Sequence, residues 1–101
     1  MARYWLSYDL GLRGNYDQFY EWLDRLDARE CGEATATFES DKTREQIKSE
    51  LGKLLGKSAR VYLIGKTKSG KFAGSFIVGQ RKRSPWQGYA SVGGAQSEDE
   101  G

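Results

Sequence analysis

Asp9 is the first residue in the chain to ask about chemistry. It closes a β-prone run, Arg3-Tyr-Trp-Leu-Ser-Tyr-Asp-Leu-Gly11, whose aromatic and branched residues suit a pleated, half-buried surface. Period-two alternation puts Tyr4, Leu6, Tyr8 and Leu10 on one face and Trp5, Ser7 and Asp9 on the other. One face reads as core; the other carries an aromatic and an acid. An acid at a strand end serves equally well as a turn-forming group, and a single carboxylate makes a poor site for a hard cation. A two-fold axis near the strand end changes that, because two copies of Asp9 would then build a magnesium site from one residue. In such a dimer Trp5 and Ser7, on the face of Asp9, become candidate interface residues.

What the chain lacks narrows the chemistry further. It contains no histidine, which removes histidine-based nucleases, serine-hydrolase triads and Cys/His zinc sites. Carboxylates with a hard cation, or no catalytic group at all, remain. The lone cysteine, Cys31, cannot close an internal disulfide and has no histidine to activate it, so it is expected to be a small buried apolar residue in a reducing compartment. Asp17, Glu21, Asp24 and Asp27 follow helical neighbour spacing and resemble a metal cluster, but they sit opposite an apolar stripe with Arg25 and Arg29 as ion-pair partners.

Charge is divided along the chain. Met1 to Glu50 holds 7 basic and 11 acidic residues, a net −4, whereas Leu51 to Ser97 holds 9 basic and none acidic. That asymmetry points to an anionic partner, RNA or DNA above all. Lys66, Lys68, Lys71, Arg81, Lys82 and Arg83 are the candidate phosphate contacts, with Trp86 for stacking. The alternative is a set of solvated side chains on strand ends and turns, with Pro85 and Trp86 packed on the body or a protein partner. The closing Glu98, Asp99 and Glu100 form an acidic tail, expected to be disordered from Ser91 onward.

Three glycine-lysine pairs suggest a phosphate loop, and all fail on spacing. Gly65-Lys66-Thr67 would need a glycine where Arg60 stands, Gly56-Lys57-Ser58 one where Leu51 stands, and Gly70-Lys71 is followed by Phe72. Gly70-Lys-Phe-Ala-Gly-Ser-Phe76 has a loose likeness to the aromatic motif of RNA-recognition domains, but it comes late, with no helix after it.

At 101 residues the chain makes one domain, expected over residues 1–90. No apolar run approaches the ~20 residues of a membrane span, and no N-terminal segment is of signal-peptide type, so a cytoplasmic protein is expected. After the first strand, Gly11 to Gly14 is a turn, and Asn15 or Asp17 caps a helix with a stripe of Tyr16, Phe19, Tyr20, Leu23 and Leu26. Ala34, Ala36 and Phe38 alternate with polar residues in a strand, and Ala28 to Cys31 is either a helix end or a further short strand. Thr43 and Gln46 form a capping box before a helix that buries Ile47, Leu51, Leu54 and Leu55 and stops at Gly56. Arg60 to Thr67 and Phe72 to Gly79 read as a hairpin turning at Gly70, where a positive φ is expected.

Tyr-Trp-Leu-Ser-Tyr-Asp9-Leu, a helix of about three turns, and Cys31-Gly-Glu-Ala-Thr-Ala-Thr-Phe-Glu-Ser-Asp41 leading into a second helix and strand carry a likeness. Over roughly Arg3 to Ile64 the chain resembles the small CRISPR adaptation protein conventionally called Cas-two, with its VapD and SinR-like relatives. The resemblance implies an α+β, ferredoxin-like βαββαβ sandwich, here with an additional C-terminal hairpin strand, and it makes Ala28 to Cys31 a short second strand. It implies a homodimer with facing sheets and Mg2+ or Mn2+ at Asp9 for phosphodiester cleavage, although some members are non-catalytic DNA scaffolds. A nucleic-acid-binding protein is therefore expected, as a metal-dependent endonuclease or as an interaction module that binds nucleic acid or a protein. The chain departs from the pattern after Lys66.

Overall fold

A computed structural model describes residues 1–91; the acidic tail anticipated from the sequence lies almost wholly outside them. Seven elements follow one another: β1 (Ala2–Asp9), α1 (Tyr16–Arg25), β2 (Arg29–Glu30), β3 (Thr35–Ser40), α2 (Arg44–Leu54), β4 (Arg60–Lys66) and β5 (Phe72–Val78). The strands form one sheet in the order β2-β3-β1-β4-β5, and every neighbouring pair is antiparallel. This is an α+β domain in which β1 sits at the centre and the two chain-order hairpins, β2–β3 and β4–β5, form the flanks. No helix among the described residues is long and apolar enough to cross a membrane.

Alternation in β1 behaves as the residue types dictate. Tyr4 and Leu6 are buried under the helices, while Trp5, Ser7 and Asp9 point to the helix-free face. Leu6 meets Ala36 on one side and Leu63 on the other, so the register carries one apolar set across three strands. Phe19, Trp22 and Leu23 of α1 and Ile47 and Leu51 of α2 close over that set with Phe38, Val61 and Ile77. Each fully buried side chain of this kind contributes about 1.5–3 kcal/mol of transfer free energy.

Some expectations change at the level of single side chains. Tyr20 is half exposed and Trp22 takes its place in the core, stacked near Phe19 and edge-on to Phe38. Trp22 can be buried because its indole N–H donates to Glu50 Oε1 at 2.9 Å. Asn15 stands at the N-cap of α1 but makes no capping hydrogen bond; its amide donates to Gln18 Oε1 and to the Leu54 carbonyl at the end of α2. The capping box of α2 forms as the sequence indicates, with Thr43 Oγ1 accepting from Gln46 N and Gln46 Oε1 accepting from Thr43 N. Cys31 is exposed, contrary to the expectation of burial, because it follows the two-residue edge strand β2 and precedes the turn at Gly32. β3 begins at Thr35, since Ala34 has a positive φ of 55° and belongs to that turn.

Arg44 locks β4 and β5 together. Its guanidinium donates to the carbonyls of Leu63, Gly65 and Ala73 and to Ser75 Oγ, at 2.8–3.4 Å.

Candidate functional site

Both helices cover one face of the sheet, so the other face is available for function. Cross-strand register sets which residues meet there. Asp9 pairs with Arg60, Ser7 with Tyr62, and Tyr62 with Phe76, which aligns an acid, a cation, a hydroxyl and two rings over three strands. Regular pairing from Lys66–Phe72 puts Phe76 on the helix-free face beside Tyr62 and turns Ile77 into the core, and a register shift then sets Val78 opposite Val61. The two rings meet edge-to-face at 5.0 Å.

Two glycines shape this corner. A Cβ on Gly74 would lie 2.5 Å from Tyr62 Cε2, so only the bare backbone lets the Tyr62 ring lie across β5. Gly79 has φ +75°, and a Cβ there would come within 2.6 Å of the Ala59 carbonyl and 2.8 Å of Arg60 Cγ. The chain bends sharply after β5 and returns over the sheet. This return brings Arg81 onto the rings, 5.8 Å from the Tyr62 centroid and 5.4 Å from that of Phe76, while Arg60 lies 5.7 Å from Phe76.

The result is a cleft of about 310 Å³ lined by Ser7, Tyr8, Asp9, Arg60, Tyr62, Phe76 and Arg81. Two arginines and one aspartate leave it with net positive charge. Asp9 is engaged within the chain: Oδ1 accepts the Gly11 N–H at 3.1 Å, and Oδ2 stands 3.6 Å from Arg60 Nη2. That last distance is an ion pair longer than a hydrogen bond. Arg60 Nε is shielded from solvent and meets no acceptor among the described residues. Tyr8 borders the cleft from the strand, but its ring lies on the helix-covered face, 4.8 Å edge-on from Phe19, where burial and the neighbouring Tyr20 hydroxyl push its phenol up to about 12.

The residues singled out in the sequence do not all come together. Ser7, Asp9 and Arg81 come together in the cleft. Lys66, Lys68 and Lys71 lie at the other end of the β4–β5 hairpin, roughly 20 Å along the strand from Arg60; Lys66 Nζ sits 5.5 Å from the Phe72 ring centroid. Gly70 has the expected positive φ, +84°, in the tight turn between the two strands. Lys82, Arg83 and Trp86 are exposed in the segment after β5, with Trp86 at 72%. Trp5 packs edge-on against Phe72 at 5.9 Å and lies beside Ile64. Trp5 and Ser7 thus share a face but not an environment: one belongs to an apolar strip, the other to the cleft.

Arg60, Tyr62 and Phe76 went unmarked in the sequence. The signal for them is the alternation in β4 and β5, which places Arg60, Tyr62 and Ile64 on one face and the apolar Val61 and Leu63 on the other. Among the described residues no three or more His, Cys, Asp or Glu side chains converge on a point that could hold a metal ion. Compared with protein-family models, with curated proteins and with solved structures, the chain finds no match.

Proposed function

We propose that this chain is a ferredoxin-like, homodimeric nucleic-acid-binding protein that takes single strands on the helix-free face of its sheet. The observation that carries the reading is the meeting of Arg60 and Arg81 with Tyr62 and Phe76 in one cleft, continued by the exposed Lys82, Arg83 and Trp86. Cations attract phosphates without regard to sequence. Rings and guanidinium planes add stacking surfaces that unpaired bases reach and bases inside a duplex do not. The ferredoxin-like assignment is supported by the β2-β3-β1-β4 order, antiparallel throughout, with both helices on one face and β5 added at the edge.

The dimer is supported by the strip of Trp5, Ile64 and Phe72, an apolar patch on the helix-free face with Phe72 57% exposed. This strip begins roughly 13 Å along β1 from Asp9, so pairing through it leaves the cleft open. The nuclease side of the Cas-two resemblance needs Mg2+ or Mn2+ at Asp9. The donors of a single chain do not fit such an ion, since Asp9 spends one oxygen on Gly11 N–H and faces the Arg60 guanidinium with the other. No hydrolytic step is assigned to it.

The test is fluorescence anisotropy of a labelled single-stranded oligonucleotide across a salt series, with the parent protein and the variant carrying Arg81→Ala, Lys82→Ala and Arg83→Ala. The variant is expected to bind more weakly, with a log–log salt slope shallower by about 1.4, the two phosphate contacts of Lys82 and Arg83 at about 0.7 each. An unchanged slope in a protein that binds other macromolecules would favour the second class, a protein-binding module.

A further inference from the structure

The cleft has more structure than a cationic surface requires. A surface that only attracts phosphates would have its cations solvated and no carboxylate among them. Here Arg81 Cζ lies 5.4–5.8 Å from the centroids of two rings, Arg60 Nε meets no acceptor among the described residues, and Asp9 offsets one of the two positive charges. Together these place a net charge of one beside two aromatic rings within about 310 Å³.

We infer that this cleft is a subsite for one nucleotide step, with a phosphodiester on Arg60 and its adjoining base stacked on the outer face of Arg81. The inference rests on the nucleic-acid reading above and deepens it. Arg60 is the phosphate group's partner because its guanidinium is under-satisfied: its ion-pair partner among the described residues, Asp9, stands at 3.6 Å, beyond hydrogen-bond length, and its side chain remains 27% exposed. Phosphate oxygens supply charge-assisted acceptors for the part of that guanidinium that stays exposed. Arg81 is the base's partner because it is held beside Tyr62 and Phe76, 5.4–5.8 Å from their centroids, and yet remains an exposed residue. Guanidinium planes stack on unpaired bases as aromatic rings do. The single net charge of Arg60, Arg81 and Asp9 matches the single negative charge of a phosphodiester.

Nuclear magnetic resonance titration of the full chain tests this with three probes: a phosphodiester-linked dinucleotide, the corresponding nucleoside, and inorganic phosphate. The dinucleotide is expected to shift the Arg60 Nε–H and the ring signals of Tyr62 and Phe76, and to bind at least tenfold more tightly than either part alone. Arg60→Lys, which keeps the charge but loses the fork, and Arg81→Gln are each expected to weaken the dinucleotide about tenfold with unchanged amide dispersion elsewhere. Phosphate binding as tightly as the dinucleotide, or shifts that map away from these residues, would overturn the subsite. Long oligonucleotides that bind both variants as well as the parent would overturn it too while leaving the nucleic-acid reading intact. Failure of every nucleic-acid probe, long or short, would overturn both.

Discussion

Asp9 and Arg60 are cross-strand partners at the end of β1 and β4, and their side chains form an ion pair with Oδ2 to Nη2 at 3.6 Å. The pair determines what Asp9 is for. In a cleft that receives a phosphate, the carboxylate opposes the ligand and restrains Arg60; in a metal site, it would be the ligand itself. Asp9→Asn separates these roles, since the amide oxygen still accepts the Gly11 N–H. The expected outcome is oligonucleotide binding several-fold tighter at low salt, with a steeper salt dependence, because the cleft gains a net positive charge. Loss of a magnesium-dependent cleavage that the parent displays would show the opposite, a carboxylate holding a catalytic cation.

Tyr62 owes its position to Gly74. A methyl group there meets the ring at 2.5–2.8 Å, closer than any ordinary carbon contact, so Gly74→Ala must lift Tyr62 off β5. A destabilisation of about 1–3 kcal/mol is expected, measured by urea unfolding, together with loss of the Arg81 contact. Tyr62→Leu is the companion variant. It keeps an apolar side chain without the ring, and it should lower oligonucleotide affinity while leaving the unfolding midpoint nearly unchanged.

The apolar strip on the same face gives a prediction about assembly. Phe72→Glu places a charge beside Trp5 and Ile64, next to the turn at Gly70 and remote from the cleft. Sedimentation velocity is expected to show a dimer for the parent and a monomer for the variant. If the two sediment alike, the strip is not where copies meet.

Acid sensitivity should trace to Glu50. Hydrogen bonds from Lys42 Nζ at 2.8 Å and Trp22 Nε1 at 2.9 Å hold its carboxyl below the ordinary value of 4.5, against a smaller opposing effect of burial. A carboxyl lowered in the folded state contributes stability that is fully present above 4.5 and is lost as pH falls through the folded value. Urea midpoints of the parent should therefore decline below that pH more steeply than those of Glu50→Gln, which retains an acceptor for Trp22 and does not titrate.

At the other end of α2, Thr43→Ala removes one half of the capping box and leaves the Gln46 N–H without its acceptor. The expected cost is about 1 kcal/mol. Thermal unfolding followed by circular dichroism reads it directly, and Thr43→Ser should recover most of the loss.

Local patterns were legible wherever one residue's chemistry decides its own conformation. Alternation placed β1 and told its two faces apart, the Thr43–Gln46 spacing placed the start of α2, and Gly70 placed the hairpin turn. Trp22 was missed because a tryptophan on a helix enters a core only if something accepts its N–H, and the acceptor, Glu50, belongs to another helix. Cys31 was misplaced for a related reason: residue type favours burial, but an edge strand of two residues has nothing to be buried against. For the candidate site, the sequence by itself determined which residues carry charge and rings, and that Asp9 ends a strand. Only the tertiary structure decided that Asp9 faces Arg60, that Ser7, Tyr62 and Phe76 lie side by side, and that Arg81 turns back over them while Lys66, Lys68 and Lys71 stay at the far end. Those neighbours are set by strand register and by the bend at Gly79, both of which depend on contacts between segments far apart in the chain.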